Sequence, residues 1–240
     1  MSSYLRLELR RAFRNPAGLI LLTGFPVALY LLWTRVLNVV PQNQQGDFAA
    51  FSMVSMATYG SLGGALFIGG AIALERGKGW ARQLAVTPLP ASGYVVAKLV
   101  SGAAGVLPSI VVVLAAGALL GGVRLPLGTW PVLVALIWVG VVPFAALGIA
   151  FGYTLRGQAA NLAMMAVYFA LSVLGGLWLP VQAMPEAMRV LAEYSPAYQA
   201  GSLGWRALEG QWPTGTAVGV LAAWTLLFAV LAVWRYRRAL

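Results

Sequence analysis

The sequence predicts an all-α membrane protein with six transmembrane helices, and three observations predict it. Charge is absent from six long windows, residues 15–34, 48–74, 99–123, 125–155, 157–185 and 210–234, the shortest holding 20 residues. About 20 apolar residues cover the roughly 30 Å of bilayer hydrocarbon, so every window is long enough. Only 9% of residues are charged and 60% are hydrophobic, against about 25% and 45–50% in a soluble domain. The cations are also distributed unevenly. Six spans place both termini on one side, which carries Arg6, Arg10, Arg11, Arg14, Arg76, Lys78, Arg82, Lys98, Arg156, Arg235, Arg237 and Arg238. The other side carries only Arg35, Arg124, Arg189 and Arg206. By the positive-inside rule both termini are expected to be cytoplasmic. The formal net charge of +10 then reads as attraction to anionic lipid rather than to nucleic acid, because the cations border apolar spans.

Residues 3–15 open the chain as an N-terminal amphipathic interfacial helix. Leu5, Leu9, Ala12 and Phe13 share one face, and Arg6, Arg10 and Arg14 line an adjacent one, which suits the headgroup plane. Asn15-Pro16 ends it and turns the chain inward. The spans follow at roughly 17–35, 50–73, 94–119, 130–154, 159–179 and 215–234. Gly24 and Pro26 predict a kink in the first. The third contains Pro108 and the fourth Pro143, and Arg156-Gly157-Gln158 makes a tight turn into the fifth. Arg235, Arg237 and Arg238 beside Trp234 close the chain as a basic and aromatic membrane anchor. The first residues are not expected to be a cleaved signal, since no small-residue cleavage site follows the first apolar window.

Composition removes several chemistries. With no cysteine and no histidine, the chain has no thiol nucleophile and lacks the commonest metal ligand and general base. No acid falls inside a predicted span, which argues against a carboxylate proton relay. The sequence contains no phosphate-binding P-loop and no nucleophile elbow. A stand-alone secondary transporter or channel would need coupling charges or a broken-helix ion site, and an intramembrane hydrolase would need a nucleophile and its base. A membrane scaffold or immunity protein remains as an alternative. Four glycine pairs have the G-x-x-x-G spacing that lets helix backbones approach, Gly60/Gly64, Gly117/Gly121, Gly148/Gly152 and Gly215/Gly219. Close packing within one subunit accounts for them as well as a dimer does.

Two connecting segments carry most information. Residues 75–90, between the second and third spans, begin with Glu75-Arg76 at the membrane edge and place Trp80, Leu84 and Leu89 among basic and polar neighbours. Residues 81–85 are predicted to form a short helix stopped by Thr87-Pro88. An apolar and basic helix of this kind at the membrane surface is built to dock. Residues 180–212, between the fifth and sixth spans, predict two short helices. One starts at Pro185, with Met184, Met188, Leu191 and Tyr194 on one side, and one covers residues 197–208 beyond Ser195-Pro196. Both are too short to span, so they are expected to dip into the outer interface as external re-entrant helices. Trp178, Tyr194, Tyr198, Trp205 and Trp212 would then be interfacial aromatics.

Glu75, Arg76, Gly79, Leu84, Thr87, Pro88 and Leu89 stand in register with an E-R-x-x-G-x-x-x-x-L-x-x-T-P-L pattern. In this respect the segment resembles the coupling helix of ABC type-2 exporter permeases. Leu179, Pro180, Met184 and Pro185, followed by Ser195-Pro196, resemble the external re-entrant region of the same family. The resemblance covers the whole chain and implies a single permease domain, 1–240, with an interfacial helix at 1–15, a short cytoplasmic coupling segment at 75–90 and a re-entrant segment at 180–212. It implies the membrane half of an ATP-driven exporter in the bacterial inner membrane. A second permease copy, in a homodimer or a heterodimer with a related permease, would pair with two copies of a separate ATP-binding subunit. No cofactor is expected in this chain; ATP and magnesium would belong to the ATPase. By the motif, Glu75, Arg76, Gly79, Trp80, Arg82, Gln83, Leu84, Thr87 and Pro88 are the ATPase-coupling residues. This chain departs from the family in carrying Lys78 and Arg82 with Glu75 as its only acid there, and Trp80 where a small polar residue is usual. An acidic docking face on the partner follows from that.

The spans offer few polar groups to a substrate. Tyr59, Gln158, Asn161, Met164, Met165 and Tyr168 are candidate pathway residues, suiting a hydrophobic or amphipathic drug, lipid or lipid-linked molecule. Packing of the helix bundle is the alternative role for each of them.

Overall fold

Residues 6–7, 16–37, 44–77, 91–155 and 157–239 are described by the computed structural model, and every regular element among them is helical. Helix α1, Pro16–Leu31, starts on a proline, whose missing N–H costs nothing at a helix start. It runs through Gly24 and Pro26, and the change of helix type comes later, at a π-helical turn over Leu32–Val36.

The second apolar window is one line of two helices, α2 (Gln45–Leu66) and α3 (Ile68–Gly77). It is broken at Phe67, where the Gly70 N–H donates to the Phe67 carbonyl at 3.0 Å, only three residues back. Helix α4, Ala91–Leu119, follows and contains Pro108. The fourth window is also broken, into α5 (Thr129–Gly140) and α6 (Val142–Thr154). The break at Val141 sits just ahead of Pro143, which has no N–H to continue the ladder. Gly157, at φ +57°, takes the left-handed conformation that turns the chain into α7, Gly157–Leu174.

Helices α8 (Glu186–Glu193) and α9 (Pro196–Leu208) come next. The Ser195 hydroxyl accepts from the Tyr198 N–H at 3.1 Å and Pro196 opens α9, so Ser-Pro both ends one helix and caps the next. Helix α10, Gly215–Ala239, closes the chain. Among the described residues, five helical lines are long and apolar enough to cross a membrane: Gln45–Gly77, Val100–Leu119, Thr129–Thr154, Gly157–Leu174 and Gly215–Arg238.

The line from Gln45 to Gly77 is the centre. It is the most buried of the five, and α1, α4, α5, α6, α7 and α9 all pack on it. Its surface is small. Ser52, Ser55, Thr58 and Ser61 are buried, and the hydroxyls of Ser55 and Thr58 donate to carbonyls one turn back, at 2.8 and 2.9 Å. These two hydroxyls therefore need no partner in lipid.

Glycine sets how close the neighbours come. A Cβ on Gly69 would lie 1.8 Å from the Gly148 carbonyl oxygen, one on Gly148 would lie 2.2 Å from the Leu66 oxygen, and one on Gly152 would lie 2.6 Å from the Gly69 oxygen. Helices α3 and α6 thus meet backbone to backbone. Gly60 touches the Leu22 carbonyl and Ser109, and Gly117 and Gly121 receive Met53 and Tyr30. Three of the four G-x-x-x-G pairs serve packing inside the chain, whereas Gly215 and Gly219 face open space.

Gly148→Leu is therefore expected to destabilise the detergent-solubilised protein by about 1–3 kcal/mol or more, because the backbone opposite cannot retreat. Gly219→Leu, with nothing within 4 Å of its Cβ position, is expected to leave the melting temperature unchanged or slightly raised. Thermal unfolding of the two variants side by side checks both.

Candidate functional site

Helix α3 carries Glu75 and Arg76 at its end, and these two adjacent side chains are held by two other lines of the bundle, one of them braced by a third. The Glu75 carboxylate accepts from the Lys98 ammonium of α4 at 2.7 Å. The Arg76 guanidinium donates to the Gly152 carbonyl of α6 at 2.9 Å and lies over the Tyr153 ring, 5.2 Å from its centroid. Tyr153 packs edge-on against Tyr236 of α10, with ring centroids 5.2 Å apart. The backbone contact at Gly148 and Gly152 makes this possible, because it brings α6 close enough for Arg76 to reach its last turn. The end of α3 is thus tied to α4 and α6, and through Tyr153 to α10.

A cavity of about 480 Å³ begins at the same end of the molecule. It is lined by Leu22 and Phe25 of α1, Tyr59, Phe67 and Leu74 of the central line, and Gln158, Asn161, Leu162, Met165, Tyr168 and Phe169 of α7. From Leu74 to Tyr59 is fifteen residues of helix, about 22 Å at 1.5 Å per residue, so the cavity reaches from the end of the line to its middle. It lies between α1, which packs on α2 and α4, and α7, which packs on α2, α3 and α6.

Its upper wall is aromatic. Tyr59 and Tyr168 stack with centroids 4.6 Å apart and planes 17° apart, and the Tyr168 hydroxyl donates to the Tyr59 carbonyl at 3.2 Å. Trp178 meets Tyr59 edge-on at 5.5 Å, and Phe67 meets Tyr168 at 5.8 Å. The polar groups, Gln158 and Asn161, sit at the lower end. Asn161 fits because Gly70 opposite has no side chain: a Cβ there would lie 2.3 Å from the Asn161 Oδ1.

The ABC-2 family transporter protein family matches residues 19–234. The chain belongs to the ABC-2 transporter family. It is 28% identical over 232 residues to "Putative transport permease YvfS" of Bacillus subtilis (strain 168), an alignment covering 96% of this chain and 94% of that protein.

In this ABC-2 permease five of the six candidate pathway residues, Tyr59, Gln158, Asn161, Met165 and Tyr168, line one cavity. Met164, named with them, is fully buried instead, packed toward Gly70. Of the coupling residues, Glu75 and Arg76 are at the end of α3, while Gly79, Trp80, Arg82, Gln83, Leu84, Thr87 and Pro88 lie outside the described residues. So do Arg10, Arg14 and all of the interfacial helix except Arg6 and Leu7, both exposed. At the other terminus Arg235 and Arg238 bracket Trp234, at 4.6 and 4.0 Å from its ring, and Arg237 is exposed.

The interfacial aromatics divide. Tyr194 and Trp212 are exposed. Trp205 instead turns inward, stacked on Phe51 with centroids 4.9 Å apart and donating from its indole to the Ser55 hydroxyl at 3.0 Å. Tyr198 packs on it at 5.6 Å, and Trp178 packs edge-on behind the cavity residues Tyr59 and Phe169, at 5.5 and 5.9 Å.

Sequence reasoning did not reach Lys98, Gly152 and Tyr153 as partners of the Glu-Arg pair, nor Leu22, Phe25, Phe67 and Phe169 as cavity lining. An apolar residue on an apolar helix carries no mark of which neighbour it faces.

Arg76→Met is expected to cost about 1.5–3 kcal/mol, the range for a hydrogen bond to a charged group, and to leave the Gly152 carbonyl without its donor. Arg76→Lys is expected to fall between, because an ammonium on a shorter stem cannot match the guanidinium's flat stacking and donor geometry. Thermal unfolding in one detergent ranks the three proteins.

Proposed function

We propose that this permease is the membrane half of an ATP-driven ABC exporter, moving a hydrophobic or amphipathic compound out of the cytoplasm or the inner leaflet. The supporting observation is the Glu75-Arg76 junction. It roots the start of the segment with the coupling motif in α4 and α6, with α10 behind Tyr153, as a part that receives mechanical work requires. In this reading two permease copies, a homodimer or a heterodimer with a related permease, engage two copies of a separate ATPase subunit that binds ATP and magnesium. Helix α1 with its π turn is the first of six spans, the basic end is cytoplasmic, and the membrane is the bacterial inner membrane. Helices α8 and α9 form the external re-entrant segment. The burial of α9 against α2 and α5, with Ala200 on Gly140 and Gly204 on Val54, supports a segment that enters the bundle rather than lying over it.

Trp80 and Leu84 fill a groove on the ATPase, and Arg82 and Gln83 contact its polar rim. ATP-driven closure of the ATPase pair pushes on residues 78–90, and the force enters the bundle through α3. The cavity of Tyr59, Gln158, Asn161, Met165 and Tyr168 is the substrate pathway. Its aromatic wall takes an apolar body and its two amides take a polar head, without a charge that would select a highly anionic substrate. A drug, a lipid or a lipid-linked molecule has that form.

Purification with the co-encoded ATPase tests the assembly. A stable complex of two permeases and two ATPases is expected, and Trp80→Ala and Leu84→Ala are expected to lose at least about 2 kcal/mol of docking energy and to uncouple transport from ATP turnover. Normal transport by both variants, or no associated ATPase, would overturn the reading. Met165→Trp, which fills the cavity from its half-exposed side, is expected to reduce transport by about tenfold with ATPase assembly intact. Unchanged uptake of the transported compound into inside-out vesicles would remove the cavity from the pathway.

A further inference from the structure

Lys98 is placed unlike a membrane-surface cation. It lies seven residues inside α4, which begins at Ala91, or about 10 Å along the helix axis. Its side chain is 5% exposed, and the Glu75 carboxylate it meets at 2.7 Å is 20% exposed. A buried ammonium beside apolar spans without a counter-charge is costly, so the acid that compensates it is part of the structure's requirement. The two residues also have a particular topological relation. Glu75 is on the helix that leads into residues 78–90, and Lys98 is on the helix that leads out of them.

From this placement we propose that Lys98 is a positioning residue for energy coupling: its ion pair with Glu75 staples the helices on either side of segment 78–90, so that a push on the segment moves both together. The inference rests on the coupling reading above. Without the staple, displacement of the segment by an ATPase would be taken up by separation of α3 from α4. With it, α3 carries the load into α6 through Arg76 and the Gly69–Gly148 contact, and α4 carries it toward α1 through Ser109, whose hydroxyl donates to the Leu22 carbonyl at 3.1 Å. Both α1 and the central line border the cavity.

The test compares transport per ATP hydrolysed in the reconstituted permease–ATPase complex for Lys98→Met, Lys98→Arg, Glu75→Gln and the exchange variant Glu75→Lys/Lys98→Glu. Lys98→Met is expected to assemble with the ATPase and to lower the transport-to-hydrolysis ratio by about tenfold, the size of a typical coupling free energy. Lys98→Arg is expected to stay within about threefold of the wild type, and the exchange variant to recover most of what Lys98→Met loses. A purely structural lysine would change the amount of folded protein without changing this ratio. If Lys98→Met does not accumulate in the membrane, Glu75→Gln, which keeps a hydrogen-bonding side chain of the same shape, carries the test. An unchanged ratio in Lys98→Met or Glu75→Gln, with Trp80→Ala uncoupled in the same assay, overturns the staple alone. An unchanged ratio in Trp80→Ala as well overturns the coupling reading on which it rests.

Discussion

The bundle depends on how much can be packed around one helical line. In lipid, helices gain nothing by burying apolar surface from one another, so association is decided by how closely backbones approach and whether polar groups are satisfied. The line from Gln45 to Gly77 meets both conditions. Glycines, serines and a threonine leave it thin, and the hydroxyls of Ser55, Thr58 and Ser61 bond to its own backbone, so neighbours on every side come close to it. A leucine-rich helix in the same place would hold the same neighbours farther out. Gly148 and Gly152 could not then sit on α3, and Arg76 could not reach the Gly152 carbonyl.

That contact links the packing to the proposed function. The two breaks, at Phe67 in the central line and at Val141 in the fourth window, both lie ahead of the glycine contact between α3 and α6. Below the breaks, α3 and α6 touch backbone to backbone and α10 packs along α6. Above them, α2 and α5 pack with α9. The lower halves are joined by contacts that resist sliding, and each connects to its upper half through a turn rather than continuous helix. A load applied at Glu75-Arg76 would therefore reach α6 directly and α10 through Tyr153, and the turns are where its line of action would change.

The windows without charge gave the helices because hydrocarbon tolerates neither charge nor unpaired backbone, and that exclusion is written residue by residue. It does not record where a helix is interrupted: Phe67 and Val141 sit in runs as apolar as their surroundings, and Pro143 marked a break while Pro26 and Pro108 did not. Gln158 and Asn161 were legible as cavity residues because a polar side chain in an apolar window is costly and must have a use. Phe25 and Phe67 were not, since an aromatic facing a cavity, lipid or another helix is the same letter. Trp205 shows the converse error, an aromatic near a span end that suits the interface and is in fact stacked on Phe51. Lys98 was counted among surface cations because its acid lies 23 residues earlier in the chain, on another helix, and charge counting has no access to that distance.

Phe67 brings these threads to one position. It is the residue at which the central line turns, and its ring is also part of the cavity wall, 5.8 Å from Tyr168. Tyr168 in turn is stacked on Tyr59, above the break. A tilt of α3 about this turn cannot leave the cavity unchanged, because one wall residue is the pivot and another, Leu74, rides on the moving helix. The opposite wall on α7 does not follow automatically: Asn161 and Met164 touch Gly70 close to the pivot, whereas Met165 and Leu162 face outward. Any reorientation of α3 would therefore reach the cavity through Phe67 and Leu74, and the Glu75–Lys98 ion pair ties the far end of α3 to α4.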